Sequence, residues 1–212
     1  MAHSFIRHGD RESMEIDCPL KEKGKKNSRT KALDLIKLYG VPELIVTSPY
    51  LRCRQTAEEM NSVLEYPVKI KVDTRLSEYS TRASEFKGEY DEATLQYEIP
   101  DIASDSSNPR NILPDIFTDP MPRVTKIYNK YKDDPRNIWF VTHGAIVCKV
   151  AELWSTRIED SQPGTSARRA GGARDNGWLK GVGYLYNVTI DADGTRYFVK
   201  SFGDKLQVVK LQ

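Results

Sequence analysis

The sequence predicts an α/β domain, a three-layer α/β/α sandwich with a mostly parallel central sheet, an antiparallel edge and a cap insertion over the site. Three observations predict it. Short apolar runs alternate with longer amphipathic segments, the pattern of strands joined by crossover helices. A length of 212 residues suits one core and is short for two. The last two apolar runs are joined through Asp191-Ala192-Asp193-Gly194, a turn of the kind that closes a hairpin.

Taken in order, strands are expected at Ala2 to Ile6, Glu43 to Thr47, Val68 to Val72, Asn137 to Thr142, Gly183 to Ile190 and Thr195 to Ser201. Helices are expected at Asn27 to Tyr39, where Ala32, Leu35, Ile36 and Leu38 mark an apolar face, and at Tyr50 to Leu64, Met121 to Lys132 and Ala145 to Trp154. Gly40 and Pro42 stop the first helix. Pro100 to Pro122 holds five of the eleven prolines and few apolar residues, so it reads as irregular. A long irregular insertion in a compact domain is usually functional, and residues 79–122 are therefore expected to cap a site within a single domain spanning 1–212.

Composition narrows the classes. Hydrophobic residues are 39% and charged residues 29%, as in a soluble globular protein. The apolar runs are strand-sized and the N-terminus lacks a basic region followed by an apolar one, so no membrane partner and a cytoplasmic address are expected. A net charge of +2 does not recommend nucleic acid. The basic stretches at 21–31 and 167–174 read as solvated surface. Cys18, Cys53 and Cys148 have no CxxC spacing, so neither disulfides nor a zinc site is indicated, and Cys53 reads as a small buried apolar residue.

In a parallel sheet, loops leaving the carboxyl ends of the strands share one edge, where ligands bind. The first expected strand runs out into Arg7-His8-Gly9-Asp10-Arg11, the second into Ser48-Pro49-Tyr50-Leu51-Arg52, the third into Arg75-Leu76-Ser77-Glu78 and the fourth into His143-Gly144. Four exits thus deliver two of only three histidines, several arginines and a carboxylate to one edge. Guanidinium forks suit a tetrahedral dianionic phosphoryl group, and Arg7, Arg11 and Arg52 can supply them. Neighbouring cations keep an imidazole neutral, so that His8 can attack phosphorus while a backbone carbonyl near Gly9 pins its other nitrogen. His143 then stabilises charge on the transferring oxygens, and Glu78 carries the proton. Glu85 and Glu89 are rival proton carriers. Arg54 points away from Arg52 on its helix and reads as solvated, and His3 reads as structural.

These residues resemble the histidine phosphatase (phosphoglycerate mutase-like) superfamily. The matching motifs are Ile6-Arg7-His8-Gly9, Pro19 to Gly24, Thr47 to Ala57, Leu76-Ser77-Glu78 and Val141-Thr142-His143-Gly144. The resemblance implies a phosphatase that is phosphorylated on His8, with Arg7, Arg52 and His143 completing the phosphate pocket and Glu78 donating the proton. It implies no metal and no organic cofactor. Arg11, three residues after His8, is similar to the acid phosphatases and to the phosphatase domain of the suppressor of T-cell receptor signalling proteins. The mutase branch is less similar, since Met14 stands where that branch usually has Asn and its longer motif after the acidic residue is missing. The expected partner is a phosphorylated small molecule or phosphoprotein; the sequence leaves the oligomeric state open. A mutase or sugar-bisphosphatase, and a silent module that binds phosphorylated ligands, are the alternatives.

Overall fold

A computed structural model describes residues 1–13, 18–79, 119–155, 185–202 and 205–211. Its elements run β1 (Ala2–Arg7), α1 (Glu22–Tyr39), β2 (Leu44–Thr47), α2 (Leu51–Asn61), β3 (Ile70–Val72), a 3₁₀ turn (Thr74–Leu76), α3 (Met121–Tyr131), β4 (Ile138–Thr142), α4 (Gly144–Ser155), β5 (Asn187–Asp191), β6 (Arg196–Phe202) and β7 (Lys205–Leu211). The sheet order is β3-β2-β4-β1-β5-β6-β7. Neighbours among β3, β2, β4 and β1 are parallel, and β5, β6 and β7 add on in antiparallel sense. The predicted α/β class, with a parallel centre and antiparallel edge, is the observed one.

Side-chain alternation along the strands divides the core into two layers. Phe5, Leu44, Val46, Ile138 and Phe140 face Val124, Ile127, Ile146, Val147 and Val150 of α3 and α4. The intervening Ile6, Ile45, Trp139 and Val141 face Ala32, Leu35, Cys53, Ala57 and Met60 of α1 and α2. All five residues of β4 are buried, as a central strand covered on both faces requires.

Several boundaries moved for local reasons. Helix α1 begins at Glu22 rather than Asn27, because Gly24 and Ser28, which carry no apolar signal, are the residues of its first two turns that are buried. Within the basic stretch at 21–31, Lys31 is 1% exposed, so that end of the stretch is interior and not a solvated surface. At its other end, α1 closes on Gly40, whose φ of 84° favours a residue without a Cβ. Strand β5 starts only at Asn187, after Leu185 turns the backbone to φ 63°. The expected hairpin is present, yet β7 extends the sheet beyond it. Of the proposed cap, Tyr79 and 119–122 are described, with Met121 and Pro122 opening α3. The rest of the cap, including Glu85 and Glu89, and the basic stretch at 167–174 lie outside the described residues.

Among the described residues no helix is long and apolar enough to cross a membrane.

Candidate active site

The parallel ladders run one residue past the strands and so fix the first loop residues. His8 N–H donates to Thr142 O at 2.9 Å, Ser48 N–H to Val141 O at 2.9 Å, and Asp73 N–H to Thr47 O at 2.9 Å. Four strand ends are thereby locked side by side, with Arg7 in register with Thr142 and Thr47 with both Val141 and Val72. The fourth contribution comes through the 3₁₀ turn, whose exit carries Glu78.

His8, Arg52, Glu78 and His143 meet in a buried cluster. His8 Nδ1–H donates to the Gly9 carbonyl at 2.7 Å, which fixes the tautomer and leaves a lone pair on Nε2. That lone pair accepts from Arg52 Nε at 3.2 Å. Arg52 Nη2 donates to Glu78 Oε2 at 3.1 Å, and His143 Nδ1 stands 3.0 Å from the same oxygen. An ionised carboxylate only accepts, so His143 Nδ1 carries its proton toward Glu78, and Nε2 accepts from the Ser48 hydroxyl at 2.8 Å. The 3.2 Å approach of Arg52 Nη2 to His143 Nδ1 is then a contact between two donors. The His8 and His143 rings lie 5.5 Å apart, edge to face.

Charge states follow from this packing. Burial, and then the charges of Arg52, His143 and Arg7, hold His8 well below the ordinary histidine value of 6.5. Burial is also the main cause that lowers His143 to about 4, against the pull of Glu78. Burial pushes Glu78 up, but His143 and Arg52 overcome it and keep the carboxyl below its usual 4.5. The resting site therefore holds two neutral imidazoles, a carboxylate and a guanidinium.

Other residues that the sequence reasoning gave no role hold this set in place. Gly9 N–H donates to Thr56 Oγ1 at 3.0 Å, and Thr56 donates to Arg52 O at 2.7 Å, tying the His8 loop to the first turn of α2. Gln55 Oε1 accepts from Leu20 N–H at 2.8 Å. These threonine and glutamine side chains lie within the Thr47 to Ala57 motif, so their signal was their spacing from Arg52. Arg7 lies with its guanidinium 5.6 Å from the Tyr186 ring centre, and a Cβ on Gly144 would stand 2.7 Å from the Tyr186 hydroxyl and 3.3 Å from Arg7 Nε. Arg11, half-buried, has its backbone bridged to Leu20.

Arg54, expected to be solvated, is only 6% exposed. Cys53 is fully buried with Sγ 3.5 Å from His143 Nε2, and the three cysteines are buried and form no disulfide. His3 is buried edge-on to Phe140, with Nε2 lacking a hydrogen-bond partner among the described residues.

One ring nitrogen each of His8 and His143 and a Glu78 oxygen lie within 4.8 Å of one another, donor types that suit a divalent ion. The Arg52 guanidinium already sits among them, so a second cation there would meet a fixed positive charge.

Solved structures share this architecture. An ecdysone phosphate phosphatase from Bombix mori, solved with tungstate, is 15% identical with a TM-score of 0.64, over 98% of this chain and 91% of that one. A mycobacterial glucosyl-3-phosphoglycerate phosphatase solved with VO3 is 17% identical with a TM-score of 0.56, over 99% and 97%. A phosphoserine phosphatase from Entamoeba histolytica, in complex with 3-phosphoglyceric acid, is 15% identical with a TM-score of 0.57, over 95% and 98%. These likenesses are of fold. No curated protein sequence matches the chain. The family profile does: it covers residues 4–163, a stretch that includes most of β1 with its RHG exit, Arg52 of α2, Glu78 and the histidine after β4, and by that match the chain belongs to the histidine phosphatase superfamily, branch 1.

Proposed function

We propose that this protein is a metal-independent phosphatase that hydrolyses phosphomonoesters through a phosphohistidine on His8. The observation that carries the reading is the pinned imidazole: Nδ1 is held by Gly9 O, and Nε2 offers its lone pair beside a buried guanidinium. In this reading Arg7, Arg11, Arg52 and His143 bind the phosphoryl oxygens. Nε2 attacks phosphorus while the ester P–O bond breaks, and Glu78 gives its proton to the leaving oxygen. Water then attacks the phosphohistidine, Glu78 takes its proton, and phosphate departs from neutral His8.

Glu78 is ionised in the resting site, so it needs a reason to hold a proton. A phosphoryl dianion against Arg52 offsets the cation that keeps the carboxyl low, and a monoanionic phosphomonoester brings the proton with it. Binding itself thus arms the acid. We further propose that residues 1–212 form one domain in which 79–122 select the substrate, a phosphorylated small molecule or phosphoprotein, in the cytoplasm. Arg11 supports a placement near the phosphatase domain of the suppressor of T-cell receptor signalling proteins.

The test is trapping with ³²P-labelled substrate. Label that survives base and is lost in acid, and that is missing in His8→Ala, is expected. Acid-stable label, or full activity in His8→Ala, would overturn the reading, and phosphate retained on an isomerised product would make the protein a mutase. Tungstate and vanadate, present in the structures of the Bombix mori and mycobacterial phosphatases, are expected to inhibit competitively.

A further inference from the structure

Arg123 is a buried arginine at the third position of α3, on an element that supplies no other residue to the site. Its placement is unfavourable on two counts. Burial lowers its pKa to about 10, and a cation in the first turn of a helix opposes the macrodipole. What it gains is specific. Nη1 donates to Arg75 O at 2.8 Å and to Ser77 O, and Nη2 donates to Glu78 O at 2.8 Å. The remaining carbonyl of this stretch, Leu76 O, accepts from Thr142 Oγ1 at 2.7 Å.

Residues 75–78 belong to no strand, so no ladder fixes them. All four of their carbonyls are instead held by side chains, three by Arg123 and one by the residue preceding His143. A guanidinium presents several donors in one rigid plane, which a lysine or a glutamine cannot reproduce across three carbonyls. The backbone under Glu78 is therefore located by α3 and β4 together. The charge matters as well: Arg123 is among the causes that keep His143 neutral, and its cation and the Glu78 carboxylate attract.

We propose that Arg123 is a positioning residue for the proton donor, fixing the Glu78 backbone so that its carboxyl reaches the leaving oxygen. This rests on the reading of Glu78 as the acid, and the experiment separates the two. An alkyl phosphate needs its leaving oxygen protonated, whereas p-nitrophenyl phosphate needs little help. The measurement is kcat/KM, which ends at departure of the leaving group, for both substrates in wild type, Glu78→Gln, Arg123→Met and Arg123→Lys. Thermal unfolding and vanadate binding are measured beside it.

Glu78→Gln is expected to lose about a hundredfold or more on the alkyl substrate, and at least tenfold less on the aryl one. Arg123→Met should show the same leaving-group bias at about ten- to a hundredfold on the alkyl substrate, since a displacement near 1 Å suffices for that loss, while vanadate still binds. Arg123→Lys, which keeps the charge and the stem, should recover part of it. No bias in Glu78→Gln would overturn the reading of Glu78. Bias in Glu78→Gln with equal losses on both substrates in the Arg123 variants would overturn the positioning role alone. Failure of both Arg123 variants to fold or to bind vanadate would do the same, making Arg123 a residue of the fold.

Discussion

His8 and His143 are displaced from ordinary histidine behaviour in the same direction and first of all for the same reason, burial, to which the neighbouring cations add. The proposed attack by His8 needs an unprotonated nitrogen, and burial among cations supplies it without a base by making the imidazolium costly. The ring protons of both histidines are therefore expected to show no NMR titration between pH 6 and 8; His143 should titrate near pH 4 and His8 well below 6.5. A midpoint near 6.5 for His8 would contradict this. The sign for stability follows: both folded pKa values lie below the unfolded one, so the unfolded chain binds more protons as the solution acidifies. The contribution of His143 is fully present above about pH 6.5 and is lost as pH falls toward about 4, and Glu78, also depressed, adds a loss below 4.5. Acid unfolding should accordingly begin earlier in the wild type than in His143→Gln, which a pair of denaturation series at pH 7 and pH 4.5 would measure. Sequence made these residues candidates through their strand exits. It could not reveal Arg123 or Ser48, whose partners are backbone carbonyls and a ring nitrogen far away in the chain.

At the scale of elements, the site depends on the fit between the His8 loop and α1. A Cβ on Gly24 would stand 2.3 Å from Asp10 O and 2.9 Å from Asp10 N, both backbone atoms that cannot swing aside. Lys21 N–H donates to Asp10 O at 2.9 Å, which holds the same carbonyl against the start of α1. Gly24→Ala improves helix propensity by up to about 1 kcal/mol in an exposed setting, yet here it forces the loop away from α1. The expected result is destabilisation of about 1–3 kcal/mol in a denaturant titration and a loss of activity larger than tenfold, because Gly9 and His8 move with Asp10. Helices α1 and α2 are joined by Arg29 and Glu59, and α2 is joined to the loop by Thr56 and Gln55, so one loop is braced by two helices. The sequence located both helices, but the start of α1 escaped because its first two turns bury a glycine and a serine instead of a leucine.

Across the whole molecule, the interior carries cations that the proposed chemistry does not use, and Lys31 is the most deeply buried of those described. Lys31 lies under the sheet with Nζ 3.3 Å from Val199 O, and burial lowers its pKa from 10.5 to about 7. The Asp34 carboxylate on the same helix opposes that shift without overcoming it. Because the unfolded chain holds this proton more tightly between about pH 7 and 10.5, the penalty of burying Lys31 is greatest below pH 7 and fades as pH rises to 10.5. Lys31→Met should therefore stabilise the fold at pH 6 by about 1–3 kcal/mol and gain little at pH 10, a difference that thermal unfolding at the two values reads directly. The sequence by itself determined the α/β class, the strands whose apolar runs are continuous, and the set of His8, Arg52, Glu78 and His143, because strand ends in a parallel sheet must share an edge. Only the tertiary structure decided that Lys31 and Arg54 are interior, that β7 closes the sheet, and that Arg52 lies at the centre of the cluster with Arg123 behind Glu78. Those outcomes depend on which distant backbone groups and helix faces meet, and a hydrophobic period carries no record of a buried charge or of a side chain bonded to a carbonyl elsewhere in the fold.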